Sequence, residues 1–183
     1  ADVRITPGPY AVAVSEIDGF ARASAGLPEE ERLLERFSVL NIMEEVMDGI
    51  GLCFESKYDE YVLLFFGSCT KAPSLSAASD PLLFAAEEKC REIGRMVSEI
   101  LKNTLSFGIS NPFSNLFETG KYYEDARKAL AHKLFTGSGS IIRIDDVPAY
   151  TDDYCHLDID FERSIASSLR IGDRNRLAES LGS

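Results

Sequence analysis

The stretch SKYDEYVLLFF, Ser56–Phe66, decides the fold. Preceded by IGLCFES, it reads as two strands joined through Ser56–Asp59, a hairpin by spacing, with two acids, Asp59 and Glu60, on its shoulder. Working outward, PYAVAVSEI (Pro9–Ile17) follows a Pro-Gly-Pro turn and is β-branched and aromatic, which predicts a buried strand. Between these strands lies a long amphipathic helix. Pro28 suits its first turn, Glu29, Glu30 and Glu31 suit the positive end of the helix dipole, and Gly49 suits its stop. Its apolar positions are Leu33, Leu34, Phe37, Leu40, Ile42 and Val46.

Beyond the hairpin, the Ser/Ala/Pro-rich run 68–79 reads as a loop. Asp80-Pro81 is an N-cap followed by Pro at the first helical position. A 3.6-residue stripe from Leu82 to Leu101 gives a second helix. TLSFGIS is a fourth strand with Leu105, Phe107 and Ile109 alternating, Tyr122–Phe135 a third helix, and SIIRI a fifth strand. The order β-α-β-β-α-β followed by α-β predicts an α+β fold. Its core is ferredoxin-like or palm-like, an antiparallel sheet with both main helices on one face, extended by an α-β unit and a C-terminal helix.

Composition narrows the function. The chain has 183 residues, 45% hydrophobic, enough for one domain with a real core. A formal net charge of -11 repels phosphate backbones, so direct nucleic-acid binding by this chain is not expected. No apolar run reaches the about 18 residues of a membrane span. The start ADVRITPGPY has no signal-peptide pattern and no initiator Met, which reads as a fragment of something longer. Cys53, Cys69, Cys90 and Cys155 form no C-x-x-C pair and suit a reducing cytoplasmic compartment. His132 and His156 are too few and too separated for a zinc site.

Motifs placed on these elements resemble the GGDEF domain, the palm-like fold of diguanylate cyclases. Where that family carries Gly-Gly-Asp-Glu-Phe on its hairpin, this chain has Lys57-Tyr58-Asp59-Glu60-Tyr61. The Asp-x-Asp-x-Phe that ends the family's first strand is similar to Glu16-Ile17-Asp18-Gly19-Phe20. Ser106-Phe107-Gly108 matches the fourth strand's Ser-x-Gly, and Ala129-Leu130 with Gly137 matches the last helix and its turn. The resemblance also implies departures. Lys57 and Tyr58 stand where two glycines let nucleotide phosphates approach the backbone. The guanine-contacting pair falls on Ser24 and Ala25, and the last helix's lysine falls on Leu134, with Lys133 one position away. On these grounds the chain is expected not to be an enzyme, with no catalytic residue and no cofactor.

Glu16, Asp18, Asp59 and Glu60 admit two readings. One is a divalent-metal site, since carboxylate oxygens suit magnesium or calcium. The other is a vestigial turn whose Asp18 and Asp59 cap backbone amides, and this second reading is preferred. Phe65, Phe66 and Phe107 are read as core packing rather than as a ligand pocket.

A narrower resemblance is to degenerate GGDEF-like domains in the middle of AraC-type response regulators of bacterial two-component systems. It rests on LFETGKYYEDARKALAHKLFTGSGSIIRIDDV (Leu116–Val147) and DIDFERSIASSLRIGDRNRLAESL (Asp158–Leu181), with Gly172-Asp173 in the latter. It implies a GGDEF-like domain over 1–145, and over 146–183 an acidic linker and a helix leading towards an absent helix-turn-helix segment. The implied partners are the receiver and DNA-binding domains of the full-length protein. The apolar positions Phe161, Ile165, Leu169 and Leu177 need a cover, either the domain itself or a second chain in a homodimer. A nucleotide- or small-ligand-binding module with a residual metal site is the alternative function.

Overall fold

A computed structural model describes residues 8–20, 26–57, 59–66 and 80–148. The chain divides between Val147 and Pro148 into two units, and every described residue except Pro148 belongs to the first. The loop expected over 68–79, the linker beyond 148 and the helix expected over 161–181 lie outside the described residues, as does Tyr58.

Five strands form one sheet in the order β2-β3-β1-β4-β5. They are β1 (Tyr10–Ile17), β2 (Gly51–Lys57), β3 (Glu60–Phe66), β4 (Leu105–Ile109) and β5 (Ile141–Arg143). The first four pair antiparallel, as the ferredoxin-like reading requires. β5, the strand of the additional α-β unit, runs parallel to β4. The reason is connectivity, because a helical segment separates the two strands and returns the chain in the same direction.

Side chains alternate across the central strand β1. Ala11, Ala13 and Ile17 pack with Tyr61, Leu63, Phe65 and Phe107 against α1 (Glu29–Met47) and α2 (Pro81–Leu101). Tyr10, Val12 and Val14 join Val62, Leu64 and Phe66 in a second cluster, with Leu130 and Ala126 of α3 (Thr119–Ala131). Helices therefore cover both faces, and β1 is apolar at almost every position because neither of its faces meets water. Phe65, Phe66 and Phe107 are all buried in these clusters.

Local chemistry explains the element ends. The Asp80 carboxylate accepts from the Leu82 amide at 2.8 Å, as expected of the N-cap before Pro81. Two residues past the end of α1 the chain turns at Gly49, whose φ of 74° lies in the left-handed region that favours glycine. Only the second half of α1 lies on the core, through Val39, Ile42, Met43, Val46 and Met47. Leu33, Leu34 and Phe37, expected on its buried stripe, are exposed. The third helix begins earlier than expected and breaks at His132, with α4 (Lys133–Thr136) as a separate short turn. Gly108 lets α3 lie directly on β4, since a Cβ there would overlap the Ala126 carbonyl and the Leu130 amide.

Candidate functional site

The strand register gathers the acids. Glu16 pairs with Glu60 across β1 and β3 and with Ser106 across β1 and β4. Lys57 and Glu60 pair across the hairpin, and Asp59 lies on the turn immediately before β3. The end of β1, the start of β4 and the β2–β3 turn thus share one corner of the sheet. The α4–β5 turn reaches the same corner through Gly139.

Asp18 is the hub. It follows the last residue of β1, and Gly19 behind it turns the chain with a φ of 68°. Both Asp18 oxygens accept from the Ser106 hydroxyl at 2.8 Å. Oδ2 also accepts from the Gly139 amide at 2.8 Å. The Lys133 ammonium, first residue of α4, donates to Glu16 Oε2 at 2.6 Å and to Asp18 Oδ1 at 3.3 Å. Asp18 is thereby capped not within its own loop, as the turn reading held, but by a strand and a turn far along the chain.

Glu60 is held differently. It is a buried carboxylate whose Oε1 accepts from the Tyr123 hydroxyl of α3 at 2.6 Å. Oε2 faces Lys57 at 3.7 Å and Arg127 at 3.5 Å. Asp59 is partly exposed on the turn. Burial and the nearby Glu16 charge push its pKa above the ordinary carboxylate value. Its own amide and Lys133 oppose the rise, while Glu60 adds to it. For Lys133, burial favours the neutral amine, but the hydrogen bond and charge of Glu16, then those of Asp18, outweigh it and hold the pKa above the ordinary lysine value.

Of the four acids singled out in the sequence, the register sets Glu16 and Glu60 side by side, and Asp18 and Asp59 share the charge of Lys133. The sequence reading missed Lys133, Ser106, Gly139 and Tyr123 as their partners. The resemblance placed the helix lysine on Leu134, which points to solvent at 86% exposure, while its neighbour Lys133 reaches the acids. Among the described residues, no group of three or more His, Cys, Asp or Glu side chains is arranged to hold a metal ion. The donor set does not fit a divalent ion, because an ammonium already sits against Glu16 and Asp18, and Glu60 is turned to Tyr123 and Arg127. Neither described cysteine suits nucleophilic work. Burial, with Glu44 nearby, pushes the Cys53 thiol up to about 11, and Cys90 is fully buried in the core.

No protein-family profile and no curated protein matches the sequence. Solved structures do match, over about three quarters of the chain. The active GGEEF domain of a diguanylate cyclase from Vibrio cholerae superposes with a TM-score of 0.58 at 12% identity, covering 74% of this chain and 83% of that one. The GGDEF domain of DgcB from Caulobacter crescentus, in complex with c-di-GMP, gives 0.58 at 16% identity, covering 75% and 78%. The FimX GGDEF domain from Pseudomonas aeruginosa gives 0.57 at 16%, covering 75% and 81%. At these identities the likeness is one of fold, and the fold is that of GGDEF domains.

One expectation is corrected by these matches. The sequence reading held that the chain is not an enzyme, yet its fold is shared with an active diguanylate cyclase domain. The exclusion rested on Lys57 and Tyr58 in place of the glycines, on Ser24 and Ala25 at the guanine contacts, and on Leu134 in place of the helix lysine. The Lys57 side chain is half exposed and its ammonium faces Glu60 across the hairpin at 3.7 Å, Leu134 is exposed, and Tyr58, Ser24 and Ala25 are outside the described residues. Departures at single side chains are too narrow a basis for ruling out chemistry on this fold. No helix among the described residues is long and apolar enough to cross a membrane.

Proposed function

We propose that this chain is a signal-transduction domain of the GGDEF fold, serving as the coupling module of a cytoplasmic two-component transcription regulator. It would stand between a receiver and an AraC-type helix-turn-helix segment. The domain would span 1–145, with 146–183 leading to the DNA-binding region. The observation that carries the reading is the fold likeness to GGDEF domains over three quarters of the chain. The regulator-like segments Leu116–Val147 and Asp158–Leu181 supply the narrower context. Mechanically, the Asp18 hub ties the end of β1 to β4 and to the turn entering β5, after which the chain continues towards its C-terminus. A change at the acid corner has a short path to whatever follows β5, which is what a coupling element needs. Sequencing the complete reading frame tests this: receiver and helix-turn-helix segments on either side are expected, and their absence overturns it.

A second reading, a nucleotide-binding module, draws support from DgcB, whose matching GGDEF domain was solved with c-di-GMP. Thermal-shift titration with GTP and c-di-GMP discriminates. A saturable rise in melting temperature supports ligand binding, and no rise with either removes it.

A further inference from the structure

Three carboxylates and one ammonium make up the corner where β1 ends. The Lys133 ammonium donates to Glu16 at 2.6 Å and to Asp18 at 3.3 Å, and its charge is also felt by Asp59. The Lys133 side chain is only 22% exposed and that of Asp18 only 5%. Such a pair is held in place rather than loosely formed at the surface, where ion pairs contribute little.

The setting fixes the geometry from both sides. α3 breaks at His132, so Lys133 starts a separate turn instead of following the face of the preceding helix. Asp18 cannot swing away, because Ser106 and the Gly139 amide hold both of its oxygens. Glu16 and Glu60 are directly cross-paired, but Glu60 is neutralised separately by Arg127 and Lys57 and hydrogen-bonded by Tyr123. Among the described residues, what is left for Glu16, Asp18 and Asp59 is the one positive charge of Lys133. A hard divalent cation needs several of these same oxygens at about 2.0–2.6 Å, in the space the ammonium occupies. The two cations are therefore mutually exclusive.

We propose that the Lys133 ammonium is the resident cation of the Glu16–Asp18–Asp59 corner, standing in the place of a divalent metal, so that metal enters this corner only when Lys133 is removed or displaced. Which cation sits there is independent of which signal the domain carries. Lys133 remains charged at neutral pH, since its neighbours favour the protonated form.

Manganese titration of the full chain tests this, read by calorimetry and by paramagnetic broadening of backbone amide signals. In Lys133→Met, Mn2+ is expected to bind at least about tenfold more tightly than in the unsubstituted chain, because one opposing charge has left the corner. Adding Glu16→Gln to that variant is expected to abolish the gain. Equal affinity with and without Lys133 overturns the proposal, as does a gain that survives Glu16→Gln. A second arm needs no variant and stands even if Lys133→Met fails to fold. In the unsubstituted chain the Asp18, Asp59 and Gly139 amides are expected to broaden no earlier than those of the acidic start of α1, Glu29–Glu31. Broadening first at the corner overturns the proposal.

Discussion

Asp59 is ionised at a cost that its surroundings explain. It is partly desolvated and repelled by Glu16, and the opposing help from its own amide and from Lys133 does not cancel this. Its pKa in the folded chain therefore lies above the about 3.9 of an unfolded aspartate. The folded state holds the proton more readily than the unfolded one, so acidification relieves a penalty instead of creating one. The penalty is fully present above the folded pKa and vanishes below the unfolded value. Asp59→Asn removes the charge while keeping the shape. It is expected to melt at a higher temperature than the unsubstituted chain at pH 7, with the difference closing as pH falls below about 3.9. Thermal denaturation at the two pH values checks this, and a variant that melts lower at pH 7 refutes it. Single residues are also where the sequence was least legible. The acids stood out because Asp and Glu beside apolar strands are conspicuous. Their partners did not, since Ser106, Tyr123 and Gly139 come from positions 63 to 121 residues away and only the fold brings them in. Lys133 was one position off the expected lysine because no periodicity announces the break at His132.

Among the elements, strands and helices could be read wherever burial is continuous. β1, β3 and β4 are buried along almost their whole length, and α2 buries one regular stripe, so apolar pattern and position coincide. α1 misled because its apolar positions extend past its buried half. Phe37 and Leu34 have the spacing of core residues, yet only from Val39 onward does the helix bury side chains in the core. Which stretch of a helix is buried depends on the elements it packs against, which its own sequence does not encode. The docking of α3 rests on a single glycine instead of on periodicity. Any Cβ at position 108 meets helix backbone, which cannot move aside as a flexible side chain would. Gly108→Val is therefore expected to destabilise the chain by about 1–3 kcal/mol or more through overpacking. It should also weaken the Tyr123–Glu60 and Lys133–Glu16 bonds that α3 and α4 deliver to the corner. Chemical denaturation measures the first effect, and unchanged stability would show that α3 sits further from β4 than described.

At the scale of the molecule, three layers follow from one strand. β1 sits at the centre of the sheet with antiparallel neighbours on both sides, and it contributes Ala11 and Ala13 to one core cluster and Val12 and Val14 to the other. The ferredoxin-like core was legible because β-α-β-β-α-β admits few arrangements. The helix on the second face was not, because the order of elements does not say which side a later helix takes. Both described core clusters are composed of residues between Tyr10 and Ile142. A layered domain is stable when its sheet is covered on both faces, and α1, α2 and α3 provide that cover before Val147. A chain ending at Val147 should therefore fold on its own as a cooperative unit. Its urea transition is expected to be single and sigmoidal, with well-dispersed amide signals for β1, β3 and β4. A truncated chain that lacks a cooperative transition, or shows only collapsed amide dispersion, would mean that residues beyond Val147 are needed to complete the core.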